Sequence, residues 1–264
     1  MRIGFIGCGN MATAMIRGIL DSKIAEREEL IASAKSEKTK EKIREELQIH
    51  LAENNRQTAQ RSDVLFLAVK PMFYEEVARE IKTALHEGQI IVTIAPGKTL
   101  AWMEEQLGKG TKIVRSMPNT PAMVKEGMSA LCKNAHVTEE ELELVKRLFE
   151  GFGRAEEVPE RLMDVVTGVA GSSPAYVYMF IEALADAGVA DGMPRAQAYR
   201  FAAQAVLGSA RMVLETGRHP GELKDMVCSP GGTTIEAVRV LEEKGMRSAV
   251  FEASKACVKK AGEM

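Results

Sequence analysis

Two short runs of this chain carry residue types and spacings that chemistry can use. Residues 229–237 read SPGGTTIEA. Pro230 fixes a turn, and Gly231 and Gly232 permit backbone shapes barred to other residues. Thr233 and Thr234 favour a helix start, and Ile235, Val238 and Leu241 then recur at helical spacing. The unpaired N–H groups of such a start attract a carboxylate or a phosphate. An ordinary loop–helix junction fits the same spacing equally well. The second run, GCGNMA, occupies residues 7–12. Gly7, Gly9 and Ala12 match G-x-G-x-x-A, with Asn10 and Met11 at the variable positions. The first glycine suits a tight turn, the second admits a pyrophosphate, and Ala12 lets a helix pack closely on a strand. A dinucleotide on the turn at residues 7–12 and a small anion on the run at residues 229–237 imply an enzyme that brings a carboxylated substrate to a nicotinamide.

Such runs work only if strands and helices hold them. Residues 2–7 read as a short buried strand and residues 12–20 as a helix, so the glycine turn sits where a dinucleotide-binding turn should; a plain strand–helix turn is the alternative. A second strand covers residues 30–33. Enzymes that prefer NAD place Asp or Glu at its end, for the ribose 2′-hydroxyl. Here the end reads Ser33, Ala34, Lys35, Ser36. Two hydroxyls and a cation suit a 2′-phosphate, which predicts a preference for NADPH, with NADH possible. A solvated turn before a charged helix over residues 37–47 is the plainer reading. Residues 62–69, SDVLFLAV, form a buried strand that Lys70 and Pro71 end abruptly. In the common doubly wound order this strand lies beside the first, at the switch point where ligands bind. That order puts Lys70 near the cofactor; otherwise it is a solvated lysine. Further strands are expected at residues 89–94 and 112–116. The turn MPNTP follows at residues 117–121, where Asn119 either donates to a ligand or only shapes the loop. Residues 128–132 read as another strand. Residues 138–149 read as a helix capped by Thr138 with Glu141 at the capping-box position. An edge strand at 154–158 precedes a domain boundary near Glu160. The expected fold is α/β: a Rossmann-type doubly wound sheet over residues 1–160, then an all-α domain over residues 161–264.

That second half changes character. Residues 174–189 and 194–214 read as helices with little polar surface and many Ala and Gly residues. Such helices must be buried, and a domain of about 100 residues has trouble burying several alone. An intertwined homodimer resolves this; a compact monomeric bundle is the alternative. The whole chain has 264 residues, 45% of them apolar, and a net charge of −2. That is enough for a substantial core, and it excludes a basic nucleic-acid footprint. No apolar stretch is long enough to span a bilayer. The strand-like start does not read as a signal peptide. Cys8, Cys132, Cys228 and Cys257 are widely spaced, which fits free thiols and a cytoplasmic location. No His/Cys cluster points to a metal.

Residues 169–195, VAGSSPAYVYMFIEALADAGVADGMPR, and residues 219–238, HPGELKDMVCSPGGTTIEAV, resemble the signature regions of the pyrroline-5-carboxylate reductase family. GCGNMA, SDVLFLAVKP and MPNTP resemble it in order and spacing too, so the likeness covers essentially the whole chain. Ser173 departs from it, since the family more often has glycine there; the larger side chain bears on the pocket floor. The resemblance implies reduction of the cyclic imine 1-pyrroline-5-carboxylate to L-proline by NADPH or NADH, the last step of proline synthesis. It also implies a homodimer with interlocked helical domains, and often a decamer of five dimers. Carried over, Thr234 hydrogen-bonds the substrate ring nitrogen. Ser229, Gly232 and Thr233, with the Gly231 backbone, bind the substrate carboxylate. Ser33 and Lys35 take the 2′-phosphate, Asn55 lies at the adenosine ribose, and Ala68, Lys70 and Pro71 line the nicotinamide ribose.

The implied chemistry agrees with the residue types. Reducing a ketone requires a proton donor for the emerging alkoxide, usually His, Lys or Tyr. A cyclic imine arrives protonated, so a hydroxyl partner suffices and catalysis becomes mostly positioning. None of His50, His86, His136 and His219 lies in the late run, and His219 before Pro220 reads as a turn or cap residue. A β-hydroxyacid dehydrogenase shares the layout but needs a lysine on the first long helix of its second domain, and residues 172–189 contain none. A non-catalytic NADPH-binding sensor is the rival of another class.

Overall fold

Four-residue apolar runs build the centre of the first unit. In the computed structural model, which describes residues 1–263, strands β1 (Ile3–Ile6), β2 (Leu30–Ser33), β4 (Val64–Leu67) and β5 (Ile90–Thr93) are buried at every position. Burial on both faces is what a parallel sheet between two helical layers requires. With β3 (His50–Leu51), β6 (Lys112–Met117), β7 (Gly127–Lys133) and β8 (Gly153–Glu157), the sheet order is β3-β2-β1-β4-β5-β6-β7-β8. β1 pairs in parallel with both β2 and β4, so the expected switch point is present. β7 runs antiparallel to β6, and β8 closes the edge parallel to β7.

Alternate residues along each strand face opposite layers. Ile3, Phe5 and Phe66 pack with Met15, Ile16 and Ile19 of α1 (Asn10–Asp21) and with Leu142, Val145 and Phe149 of α6 (Glu139–Glu150). The Phe5 and Phe66 rings stack with centroids 4.7 Å apart, and Phe149 continues the aromatic column. On the other face, Ile6, Leu65 and Leu67 meet α4 (Tyr74–Ile81) and α5 (Leu100–Leu107). α6 starts with the expected capping box: the Thr138 side chain accepts from Glu141 N–H, and Glu141 accepts from Thr138 N–H.

Some local features differ from the sequence-based reading. The helix over 37–47 is α2 (Glu37–Lys42) followed by a wider π-type turn, Ile43–Leu47, closed by Gln48 at φ 53°. β3 is an additional strand of only two residues, one of them an exposed histidine, too short for an alternating pattern. The first compact unit runs past Glu160 to Ser172 and takes in residues from Cys257 onward. One reason is Met163 of α7 (Met163–Val166), which is buried in the same layer as α4 and α5.

The second unit, Ser173–Ala256, holds α8 (Ser173–Ala190), α9 (Arg195–Thr216), α10 (Pro220–Val227), α11 (Thr233–Glu243) and most of α12 (Met246–Gly262). Among its described apolar residues only Ala185, Ala198 and Ala202 are buried. Large side chains stand in the open: Tyr178 is 60% exposed, Phe201 62% and Phe251 63%. A further apolar groove of about 570 Å³ is lined by Val238, Leu241, Met246, Val250 and Phe251. Contiguous apolar exposure on this scale marks an interaction surface. No helix among the described residues is long and apolar enough to cross a membrane. A second copy of the chain would cover this exposed apolar surface. Light scattering at micromolar concentration should give a dimer or a multiple of dimers; a single species near 28.8 kDa would contradict this.

Candidate active site

The first cluster forms where β1, β2 and β4 end. Gly7 follows β1 at φ 88°, and its N–H donates to Ser33 O at 3.0 Å. A Cβ here would lie 2.7 Å from Ala68 O and 2.9 Å from Val69 Cγ1. Glycine is therefore required both by conformation and by the close approach of β4. Gly9 caps α1 without any side-chain hydrogen bond, and the space around its missing Cβ is open. The N–H groups of Asn10, Met11 and Ala12 have no acceptor within the helix. An open glycine before three aligned donors fits a pyrophosphate.

Beside this cradle lies a polar chain. Ser33 Oγ donates to Asn55 Oδ1 at 2.7 Å, and Asn55 Nδ2 donates to Glu80 Oε2 at 2.7 Å. Asn55 opens α3 (Asn55–Gln60) directly after its cap, Asn54, whose side chain accepts from Gln57 N–H. Lys35 Nζ pairs with Glu76 at 2.8 Å and lies 5.3 Å from the centre of the Phe73 ring. The hydrogen bond that Lys35 donates to Glu76 raises the Lys35 pKa above its ordinary value. Ala68 N–H donates to Ile6 O at 2.8 Å, Lys70 is exposed, and Pro71 opens a 3₁₀ turn, Pro71–Phe73, before α4. Asn119 is buried and engaged at both ends of its carboxamide: it donates to Ala170 O at 3.0 Å and accepts from Met128 N–H at 2.9 Å. Those bonds tie the loop after β6 in place.

Tyr74 is a support that sequence reasoning passed over. It is fully buried, donates to Leu67 O at 2.5 Å, and accepts from Thr93 Oγ1 at 3.1 Å and Ile94 N–H at 3.3 Å. It thus ties together the ends of β4 and β5. Burial pushes its pKa up to about 12 and its proton is committed to a backbone carbonyl, so it is a brace and not a proton donor. The sequence signal was no more than a pair of aromatic residues, Phe73 and Tyr74, after the Lys-Pro stop.

The late run lies wholly in the second unit. α10, capped by His219 Nδ1 on Gly221 N–H at 3.1 Å, ends at Cys228. The chain turns through Ser229 and Pro230, with Gly231 at φ 68°. Gly232 N–H donates to Ser229 O at 3.0 Å, and a Cβ on Gly232 would run into Ser229 Oγ. α11 then starts at Thr233 with no side-chain cap. The N–H groups of Thr233, Thr234 and Ile235 are left without helical acceptors. Thr234 is half-buried, whereas Thr233 and Ser229 are exposed. Ser33, Asn55, Ala68 and the glycine turn are thus brought together in the first unit, and Ser229 to Thr234 in the second.

The thiols offer no rival chemistry at the glycine turn. Burial raises the pKa of Cys8, and Cys132 is pushed up to about 12. Among the described residues no group of three or more His, Cys, Asp or Glu is placed to hold a metal.

A dinucleotide-type sheet followed by a helical unit with a second uncapped helix start defines a nicotinamide-linked oxidoreductase. Residues 2–97 match the family model described as NADP oxidoreductase, coenzyme F420-dependent, and residues 160–264 match that for pyrroline-5-carboxylate reductase dimerisation. The pyrroline-5-carboxylate reductase of Escherichia coli K12 is 51% identical over 263 residues, 100% of this chain and 98% of the relative. The solved pyrroline-5-carboxylate reductase of Coxiella burnetii superposes with a TM-score of 0.93 at 34% identity, covering 99% of this chain and 97% of that one. The Plasmodium falciparum pyrroline carboxylate reductase solved with NADP bound gives a TM-score of 0.89 at 32% identity, covering 100% and 97%. The chain belongs to the pyrroline-5-carboxylate reductase family.

The two glycines of the first turn separate by their environments. Gly7→Ala should destabilise the fold by about 1–3 kcal/mol, the cost of a residue held in a disfavoured conformation. Gly9→Ala should leave the melting temperature unchanged, because its Cβ meets nothing. It should still weaken cofactor binding by roughly tenfold or more, about 1.4 kcal/mol. Thermal melts and cofactor titrations of the two variants check this; a Gly9→Ala protein with full affinity would remove the cradle assignment.

Proposed function

We infer that this chain reduces 1-pyrroline-5-carboxylate to L-proline with hydride from a bound nicotinamide. The observation that carries the reading is the uncapped, glycine-led start of α11, which offers free N–H groups and a half-buried Thr234 hydroxyl with no His, Lys or Tyr in the run. In this reading the backbone N–H groups from Gly231 to Thr234, apart from that of Gly232, which closes the turn on Ser229 O, hold the substrate carboxylate with the Ser229 hydroxyl. The Thr234 hydroxyl accepts a hydrogen bond from the protonated ring nitrogen. The asymmetric attachment of both groups fixes one face of the C=N bond, and holding two bound molecules in register supplies most of the rate. The reduced nicotinamide supplies the hydride. On the first unit, Gly7 to Ala12 take the pyrophosphate, Ser33 and Lys35 take a 2′-phosphate, Asn55 holds the adenosine ribose, and Ala68, Lys70, Pro71 and Asn119 line the nicotinamide end. The exposed apolar helices favour a homodimer; the family resemblance adds further assembly into a decamer of five dimers, and the widely spaced cysteines fit the cytoplasm. Oxidation of NADPH by the purified protein on addition of pyrroline-5-carboxylate tests the reading; tight NADPH binding without turnover would replace it with a sensor.

Thr234→Ala keeps the free amides and the helix start, so substrate binding should survive in part. The lost hydrogen bond to a charged nitrogen is worth roughly 1.5–3 kcal/mol, about 10- to 150-fold in kcat/KM. NADPH affinity should hold, since the phosphate contacts assigned here lie on the first unit. Thr233→Ala is the control, and a larger loss there than at Thr234 would refute the assignment.

Cofactor choice follows from the end of β2. NADPH should bind more tightly than NADH, and Lys35→Glu should narrow or reverse the preference by setting a negative charge against the 2′-phosphate. Equal kcat/KM for the two cofactors in the unmodified protein would contradict it.

A further inference from the structure

We propose that Glu80, with Glu76 one turn before it, makes the adenosine end of the cofactor site a two-way reader: Glu80 accepts from the hydroxyl of an unphosphorylated ribose, and Lys35 with Ser33 donates to a 2′-phosphate. The proposal rests on the cofactor site assigned above to Ser33, Lys35 and Asn55. The end of β2 lacks the acid that an NAD-preferring site uses. The fold supplies one from elsewhere. On α4, Tyr74, Val77, Ala78 and Ile81 are buried, which turns Glu76 and Glu80 outward on one common face. Both carboxylates reach the assigned donors: Glu80 Oε2 lies 2.7 Å from Asn55 Nδ2, and Glu76 Oε1 lies 2.8 Å from Lys35 Nζ. Asn55 in turn holds Ser33 Oγ at 2.7 Å, so one hydrogen-bonded chain runs from the end of β2 to α4. Glu80 also acts on Lys35 through its charge.

Two consequences follow from charge alone. A 2′-phosphate must take Lys35 from Glu76 and the Ser33 proton from Asn55 Oδ1, and must sit in the field of both carboxylates. A ribose hydroxyl meets no such opposition and finds in Glu80 an ionised acceptor. The Lys35–Glu76 pair is solvent-exposed on both sides, so the exchange is cheap. The pocket therefore admits NADH beside the preferred NADPH, where an acid at the strand end would have excluded NADPH.

The test is direct titration of the full-length protein with NADH and NADPH, reading dissociation constants without substrate. Glu80→Gln keeps the shape and still accepts from Asn55 through its amide oxygen. It should weaken NADH by about 10-fold, the low end for a hydrogen bond to a charged group because the site is half-exposed, and leave NADPH equal or tighter. Glu76→Gln frees Lys35 and should tighten NADPH by about 2- to 5-fold, the scale of an exposed ion pair, with NADH unchanged. Glu80→Asp, which withdraws the carboxylate, should repeat the NADH loss and serves if the Gln variant folds poorly. Lys35→Met separates the two layers of the argument. If it weakens NADPH while the glutamate variants move neither cofactor, the proposal fails and the pocket stands. If it changes neither affinity, the pocket assignment fails and takes the proposal with it. Equal shifts of both cofactors in Glu80→Gln would reduce Glu80 to a brace between α3 and α4.

Discussion

The constraint on which the first unit depends is the close passage of the chain leaving β1 past the end of β4. At Gly7 the backbone turns with positive φ while a Cβ would press on Ala68 O, so the strand must end there and α1 must begin almost at once. Gly7 N–H is tied to Ser33 O, and Ala68 N–H to Ile6 O. The ends of β1, β2 and β4 are therefore held together through main-chain atoms. The free amides of α1 and the hydroxyl of Ser33, both assigned to the dinucleotide, inherit their positions from that junction. Tyr74 extends the same restraint by tying the ends of β4 and β5 from below.

The second unit obeys the opposite rule. Its helices carry Ala and Gly where a self-sufficient bundle would carry large core residues, and its large apolar residues point away from its own interior. Small residues allow helices to approach closely, but they bury little area each, and burial is what offsets the entropy of ordering the chain. A unit built in this way gains its stability from what covers it. The dimerisation family model matches this part of the chain.

Much of this was legible in the chain, and the exceptions share a cause. Runs such as SDVLFLAV declare a strand because every position is buried, and Thr138 with Glu141 declares a helix start because the cap is local. Gly7 was legible because only glycine serves there. β3 was not, since two residues held by pairing with β2 carry no period of their own. The direction of β7 was not, since a buried strand looks the same read either way. Glu76 and Glu80 were not, because nothing near them in sequence marks them. They become part of the polar chain only when α4 packs beside α3 and the end of β2. The boundary near Glu160 followed a change in composition, whereas the compact unit continues to Ser172 because Met163 keeps feeding the same core.

In the proposed reading, the chain divides its recognition between two kinds of donor. Charges that every turnover must bind, the pyrophosphate and the substrate carboxylate, are assigned to main-chain N–H groups at two uncapped helix starts. Such donors do not titrate and cannot be lost by exchanging a side chain, and their dipoles are fixed before the ligand arrives. The feature that distinguishes one cofactor from the other is assigned instead to Lys35, Glu76 and Glu80, on the rim of the sheet where two of the three are exposed. Side chains there touch neither the core nor the junction at Gly7. Cofactor preference can therefore change without rebuilding the glycine turn on which the dinucleotide cradle rests.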